Sequence, residues 1–165
     1  MFKLGTKPNK LVALSYVSVQ AIILVLLIFV NLAYGFTFRK FVIAGSVLEW
    51  LGIIGILVSA YSIRRSLTAM PLPKEHGQLA TNGLYKYVRH PMYTSVLIFS
   101  LGLAINSGEM YKYLLVVALT VLFYYKSIYE EVYLSNKYAK YKGYAKITPR
   151  LVPFLRHIKI DSNKG

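Results

Sequence analysis

Two short stretches hold most of the side chains able to do chemistry: "VRHPMY" at residues 88–93 and "KSIYEE" at residues 126–131. Proline disfavours the α conformation in the residue before it and suits the first turn of a helix, so His90 reads as extended and Pro91 as a helix start. Arg89 and His90 then flank a helix N-terminus. Its unpaired N–H groups and positive dipole, with a guanidinium alongside, suit a carboxylate or phosphate. A plainer role stays open, in which Arg89 only snorkels to lipid headgroups and Pro91 only starts the helix. Lys126 and Glu130 are four residues apart and share a helix face, where an ion pair is the simple expectation. Cationic donors at one helix start and the carboxylates of Glu130 and Glu131 at another helix end would together suit a zwitterionic ligand that also carries hydroxyls.

The elements that must bring these groups together are apolar runs. Residues 11–34 carry no charge over 24 positions, roughly 36 Å as a helix and enough to cross a hydrocarbon core of about 30 Å. Lys3, Lys7 and Lys10 precede this run like the start of a signal peptide, but it is longer than such an apolar region, so it is expected to persist in the mature protein. Residues 41–63 form a second span, interrupted by Glu49. The runs 92–106 and 113–125 are shorter, about 20 Å each, and the polar "NSGE" at 106–109 between them predicts a tight turn and an antiparallel hairpin. The wet end of that hairpin is expected in a protein-lined recess rather than in lipid.

The expected fold is therefore all-α: a polytopic membrane protein of four transmembrane helices, the third and fourth forming a short hairpin. It reads as a single membrane domain over 1–165, with a two-helix part (1–63), a loop (64–91), the hairpin (92–129) and an interfacial tail (130–165). Seventeen Lys and Arg residues fall on the side of the termini, the middle loop and the tail, against three on the other side. That asymmetry predicts cytosolic N- and C-termini.

Composition narrows the function. The chain is 56% hydrophobic with a net charge of +14, and its basic residues are separated by long apolar runs instead of lining one polar face, which argues for a membrane and against nucleic acid. It has no cysteine, which removes disulfides and thiolate sites, and His76, His90 and His157 show no metal-ligand spacing, so no metal is expected. In the tail, Tyr138, Tyr141 and Tyr144 recur every three residues beside Lys137, Lys140, Lys142 and Lys146, the pattern of an interfacial amphipathic helix. Glu49 shares a helical stripe with Gly45, Gly52, Ile56 and Ser59, a small-residue face suited to another helix. A hydrogen-bonded interhelical role is the favoured reading for it, against proton coupling or a place in an acceptor pocket.

The ordered motifs G-x-Y at 83–85, R-H-P-x-Y at 89–93, the glutamate pair and the Tyr-rich stretch ending in Pro153 resemble the integral-membrane methyltransferases of the isoprenylcysteine carboxyl methyltransferase and phospholipid N-methyltransferase group. The resemblance covers roughly 73–154. It implies an S-adenosylmethionine-dependent enzyme that methylates a lipid or prenylated acceptor, small molecule or peptide, at the cytosolic face; the richness in Lys, Tyr and Ile without Cys points to the plasma membrane as the expected location. By motif position, Gln78, Leu79, Ala80, Tyr85, His90, Pro91, Met92, Tyr93 and Glu130 would bind the cofactor. Arg89, His90 and Glu131 would be catalytic, and Lys126 stands where a substrate-holding arginine is found in the isoprenylcysteine enzymes. Lysine keeps that charge and loses the bidentate fork. The acceptor, a carboxylate or a lipid amine, is left open, as is the oligomeric state. The competing reading is a small four-helix transporter that works through Glu49.

Overall fold

The computed structural model describes residues 9–31, 37–38, 40–63 and 79–153. Among these, five α-helices follow one another: α1 (Lys10–Phe29), α2 (Val42–Ser62), α3 (Pro91–Ser107), α4 (Met110–Lys137) and α5 (Tyr141–Ile147), with a single 3-10 turn at Gly83–Lys86 before α3. There is no β-sheet among the described residues; Thr37 and Glu109 form one isolated antiparallel bridge. Three of the helices, α1, α2 and α4, are long and apolar enough to cross a membrane, while α3 is a shorter apolar helix of 17 residues.

Local sequence explains where these helices begin and end. Asn9 caps α1, its side-chain oxygen accepting from Leu11 N at 3.0 Å. Pro91 opens α3, where its missing N–H removes no intrahelical bond. Gly108, at φ +70°, ends α3 in the left-handed conformation, and its N–H reaches Ala104 O at 2.9 Å. Two residues, Gly108 and Glu109, thus separate α3 from α4, the tight turn expected at "NSGE". The first apolar run was expected to 34, but α1 ends at Phe29 and Val30 is already extended; residues 32–36 lie outside the described residues. The fourth run is far longer than its apolar stretch: α4 continues through Lys126, Glu130 and Glu131 for 28 residues, about 42 Å.

The closest packing joins α2 to α3. A Cβ on Gly52 would lie 2.6 Å from Phe99 N, and one on Gly102 would lie 2.7 Å from Gly45 O. The stripe containing Gly45, Gly52 and Ser59 is therefore the buried face of α2, pressed against α3. Glu49 belongs to this contact: its Oε1 accepts from Asn106 Nδ2 at 2.6 Å, and the same amide reaches Ser46 Oγ at 3.3 Å. Helix α1 packs on α4 through Ile23, Leu27, Leu119 and Phe123, the last three fully buried. The start of α1 is pinned to α4 by Tyr129, whose hydroxyl accepts from Asn9 N at 3.2 Å and donates to Asn9 O at 3.0 Å. Around this interior, large apolar side chains such as Leu14, Ile43, Trp50, Leu57 and Val117 point outward, as expected of helices immersed in lipid.

Candidate active site

Where the start of α3 meets the last turns of α4, the two chemical stretches come together. His90 lies between the glutamates: Nδ1 is 3.4 Å from Glu130 Oε2 and Nε2 is 3.1 Å from Glu131 Oε1. A neutral imidazole has one donor, so a ring with a carboxylate at each nitrogen is best satisfied as the doubly protonated cation. Burial opposes that charge, yet the hydrogen bonds to Glu130 and Glu131 outweigh it and hold the His90 pKa above its usual 6.5. Tyr93 donates to the same Glu130 oxygen at 3.0 Å. Its ring stacks on His90 at 5.3 Å between centroids and on Phe123 at 4.6 Å.

Glu131 gathers three cations. Besides His90, it receives Arg89 Nη2 at 3.3 Å and a bidentate pair from Arg150, with Nε to Oε1 at 2.9 Å and Nη2 to Oε2 at 2.8 Å. Arg89 and His90 are only 8% and 7% exposed, so these charges interact through protein rather than water.

Arg150 belongs to a segment that crosses the start of α3 like a strap. Arg89 N donates to Pro149 O at 2.8 Å, His90 N to Arg150 O at 3.1 Å, and Thr94 Oγ1 to Leu151 O at 2.5 Å. Helix α5 reinforces it: Arg89 Nη1 donates to Ala145 O at 3.2 Å and the Tyr144 hydroxyl to Tyr85 O. The tail is therefore built differently from the expected amphipathic helix. Tyr138 caps α4 in an extended conformation, and only Tyr141 and Tyr144 share α5, with Tyr141 buried. Burial pushes the Tyr85 and Tyr141 hydroxyls well above the usual value and, with smaller opposing effects from Arg89 and Glu131, the Tyr144 hydroxyl up to about 12, so all three remain protonated donors. Two buried polar atoms have no hydrogen-bond partner here, Arg89 Nε and the Tyr141 hydroxyl.

The remaining expected residues are distributed around this cluster. Pro91 and Met92 open α3; Tyr85 is buried in the 3-10 turn; Leu79 and Ala80 precede it and are half-buried; Gln78 lies outside the described residues. Lys126 is buried on α4 but its hydrogen bond runs to α1, to Gln20 Oε1 at 2.6 Å, rather than along its own helix. Arg150 and Tyr141 were not singled out as site residues from sequence. The signal for both was the Tyr-rich stretch ending in proline, which reads as surface until α5 folds it back.

Comparison with known proteins bears on the family of the chain. The family model for phospholipid methyltransferases matches residues 40–141, more than half of the chain and including both stretches of the cluster. The Arabidopsis thaliana protein named "Protein-S-isoprenylcysteine O-methyltransferase B" is 33% identical over 84 residues, 50% of this chain and 43% of that relative. The matched region thus spans less than half of the relative's length. With α1, α2 and α4 of membrane-crossing length and a matched region running from α2 through α4, the chain belongs to the phospholipid methyltransferase family.

Proposed function

We propose that this protein is a membrane methyltransferase that binds S-adenosylmethionine where α3 begins and methylates a lipophilic acceptor drawn from the bilayer. The observation that carries this reading is the buried cluster of His90, Glu130, Glu131 and Arg89 beside two donors that lack acceptors. Bound there, the cofactor supplies a methyl group on a cationic sulfur, which one in-line displacement transfers. The donor set fits its other groups. Arg89 Nε, the Tyr141 hydroxyl and the first-turn N–H groups of Met92 and Tyr93 suit a carboxylate. Both Glu130 contacts named above use Oε2, which leaves Oε1 to accept from an ammonium or a ribose hydroxyl. In this reading Tyr85 and Leu79 line the same recess, and the strap at 148–151 excludes water from it.

In this assignment His90 and Arg89 hold the two glutamates in place, and Glu131 orients Arg89 and Arg150. None of them is poised to remove a proton: His90, with a carboxylate at each ring nitrogen, is best satisfied when both are protonated, Glu131 is saturated by cations, and the nearby tyrosines hold theirs tightly. A lipophilic carboxylate, which needs no deprotonation, is therefore favoured over a lipid amine. The charge asymmetry favours four crossings with the site and both termini in the cytosol. The transporter reading loses support because Glu49 is occupied by an interhelical hydrogen bond.

Calorimetry of the detergent-purified protein tests this. S-adenosylmethionine should bind, and Glu130→Gln should weaken binding about tenfold or more with helical content unchanged, the usual effect of losing a charged hydrogen bond. Absence of binding to the wild-type protein would sink the proposal.

A further inference from the structure

Helix α5 turns two unlike faces outward and inward. At about 100° per residue, Tyr141, Tyr144 and Ala145 fall on one side, and Lys142, Gly143, Lys146 and Ile147 on the other. The first side holds the candidate site: Tyr141 is buried, Tyr144 donates to Tyr85 O, and Ala145 O accepts from Arg89 Nη1 at 3.2 Å. The second side is open. Lys142 and Lys146 are exposed, Ile147 is 69% exposed, and a Cβ on Gly143 would meet no atom within 4 Å.

This outer surface continues past the helix. Lys140, just before α5, is exposed, and so are Val152 beyond the strap and Lys86 and Tyr87 beside the 3-10 turn that Tyr144 ties to α5. Among the described residues no carboxylate answers these four lysines. Glu49 bonds to Asn106 and Glu109 pairs with Lys112, while Glu130 and Glu131 hold His90, Arg89 and Arg150. Ammonium groups interleaved with aliphatic side chains and a phenol suit a bilayer surface, where phosphate oxygens lie above acyl chains. The long apolar helices already hold the protein at that surface, so the contact forms at high effective concentration without a separate encounter.

We propose that the outer face of α5, with Lys86 and Lys140 beside it, docks on the anionic phospholipid surface of the protein's own membrane, and that this docking holds the strap closed over the start of α3. The link is direct: α5 runs into the strap, whose carbonyls at Pro149 and Arg150 accept from Arg89 N and His90 N. Lipid charge thereby regulates access to the buried cluster. The consequence for cofactor retention rests on the methyltransferase reading, whereas the docking itself does not.

Hydrogen exchange of the purified protein in nanodiscs tests this, comparing phosphatidylcholine alone with an equal mixture of phosphatidylcholine and phosphatidylglycerol. The Arg89 and His90 amides should exchange about fivefold or more slowly in the anionic discs, the shift expected of even one lysine engaged at such a surface. The amides around Leu119 and Phe123 should not change. Lys142→Gln combined with Lys146→Gln, both at exposed positions, should erase most of the difference, and high salt should reduce it. S-adenosylmethionine should bind severalfold more tightly in the anionic discs. Equal exchange in the two lipids, a difference undiminished in the double variant, or equal slowing at Leu119 and Phe123 would overturn the proposal. Inorganic phosphate added to neutral discs is the soluble arm; matching protection there would overturn the assignment to a bilayer surface. Cofactor affinity equal in both discs despite the added protection would overturn the regulatory link. If lysine-dependent protection stands but S-adenosylmethionine binds in neither disc, the methyltransferase reading falls and the docking surface survives.

Discussion

Replacing Arg150 with methionine removes the bidentate pair to Glu131 while retaining much of the side chain's apolar bulk. The strap keeps its other ties: the carbonyls of Pro149, Arg150 and Leu151 still accept from Arg89 N, His90 N and Thr94 Oγ1. Hydrogen bonds to charged groups contribute about 1.5–3 kcal/mol each. Glu131 retains Arg89 and His90 as partners, so the net loss for two bonds should be about 2–4 kcal/mol, less than their sum. If that loss falls on local opening of the strap, the open population rises between about 30-fold and about 700-fold, at 1.4 kcal/mol per factor of ten. Hydrogen exchange followed by mass spectrometry on the detergent-solubilised protein reads this directly. The Arg89 and His90 amides, which donate to the strap, should exchange faster by that factor, while the amides around Leu119 and Phe123 in the α1–α4 interior should not change. Exchange at Arg89 and His90 within about threefold of wild type, well under the range expected from lost charged hydrogen bonds, would refute the claim that Arg150 fastens the strap.

Other consequences are simpler to measure. Because the His90 pKa is raised on folding, the stabilisation from its charged form is complete below about pH 6.5 and is lost as pH rises through the folded-state value. Thermal unfolding should show stability falling on the alkaline side, by at most about 1.4 kcal/mol per pH unit for a single proton, and His90→Gln should remove that slope. Gly52→Ala should destabilise by about 1–3 kcal/mol, since its Cβ would lie 2.6 Å from the Phe99 backbone nitrogen. Gly143→Ala, with nothing within 4 Å of the added carbon, should instead stabilise α5 by about 0.5–1 kcal/mol in the same melts. Glu49→Leu, which strips Asn106 of its best acceptor, should cost about 0.5–2 kcal/mol in unfolding and leave S-adenosylmethionine affinity at the wild-type value by calorimetry.

The parts of this structure legible in the sequence are those set by local chemistry. Pro91 fixed the start of α3, Gly108 its end, and the small-residue stripe with Glu49 the buried face of α2. The meeting of His90 with Glu130 and Glu131 followed from a short turn between two apolar runs. What could not be read was long-range or directional. An i,i+4 spacing brings Lys126 near Glu130, but it cannot show that the ammonium turns across to Gln20, 106 residues away in sequence. The three-residue rhythm of Tyr138, Tyr141 and Tyr144 mimics one helix face because the break between α4 and α5 leaves no Gly or Pro at the join. Arg150 looked like one more tail cation until the backbone of the strap placed it on Glu131.

The turn at Gly108 and Glu109 has a reach well beyond its own residues. Phe38 N donates to Gly108 O at 2.7 Å, so the turn is anchored as well as short. From Gly108 back to His90 is about 27 Å of helix, and a comparable length of α4 separates Glu109 from Glu130. Both arms are rigid and share one origin, which makes the turn a phase setting for the distant cluster. One residue inserted between Glu109 and Glu130 would rotate both carboxylates by about 100° around α4 and slide them about 1.5 Å along it. Chain length between these points is thus held to an integer by chemistry at the opposite end, and substitutions along both arms are tolerated far more readily than any insertion or deletion.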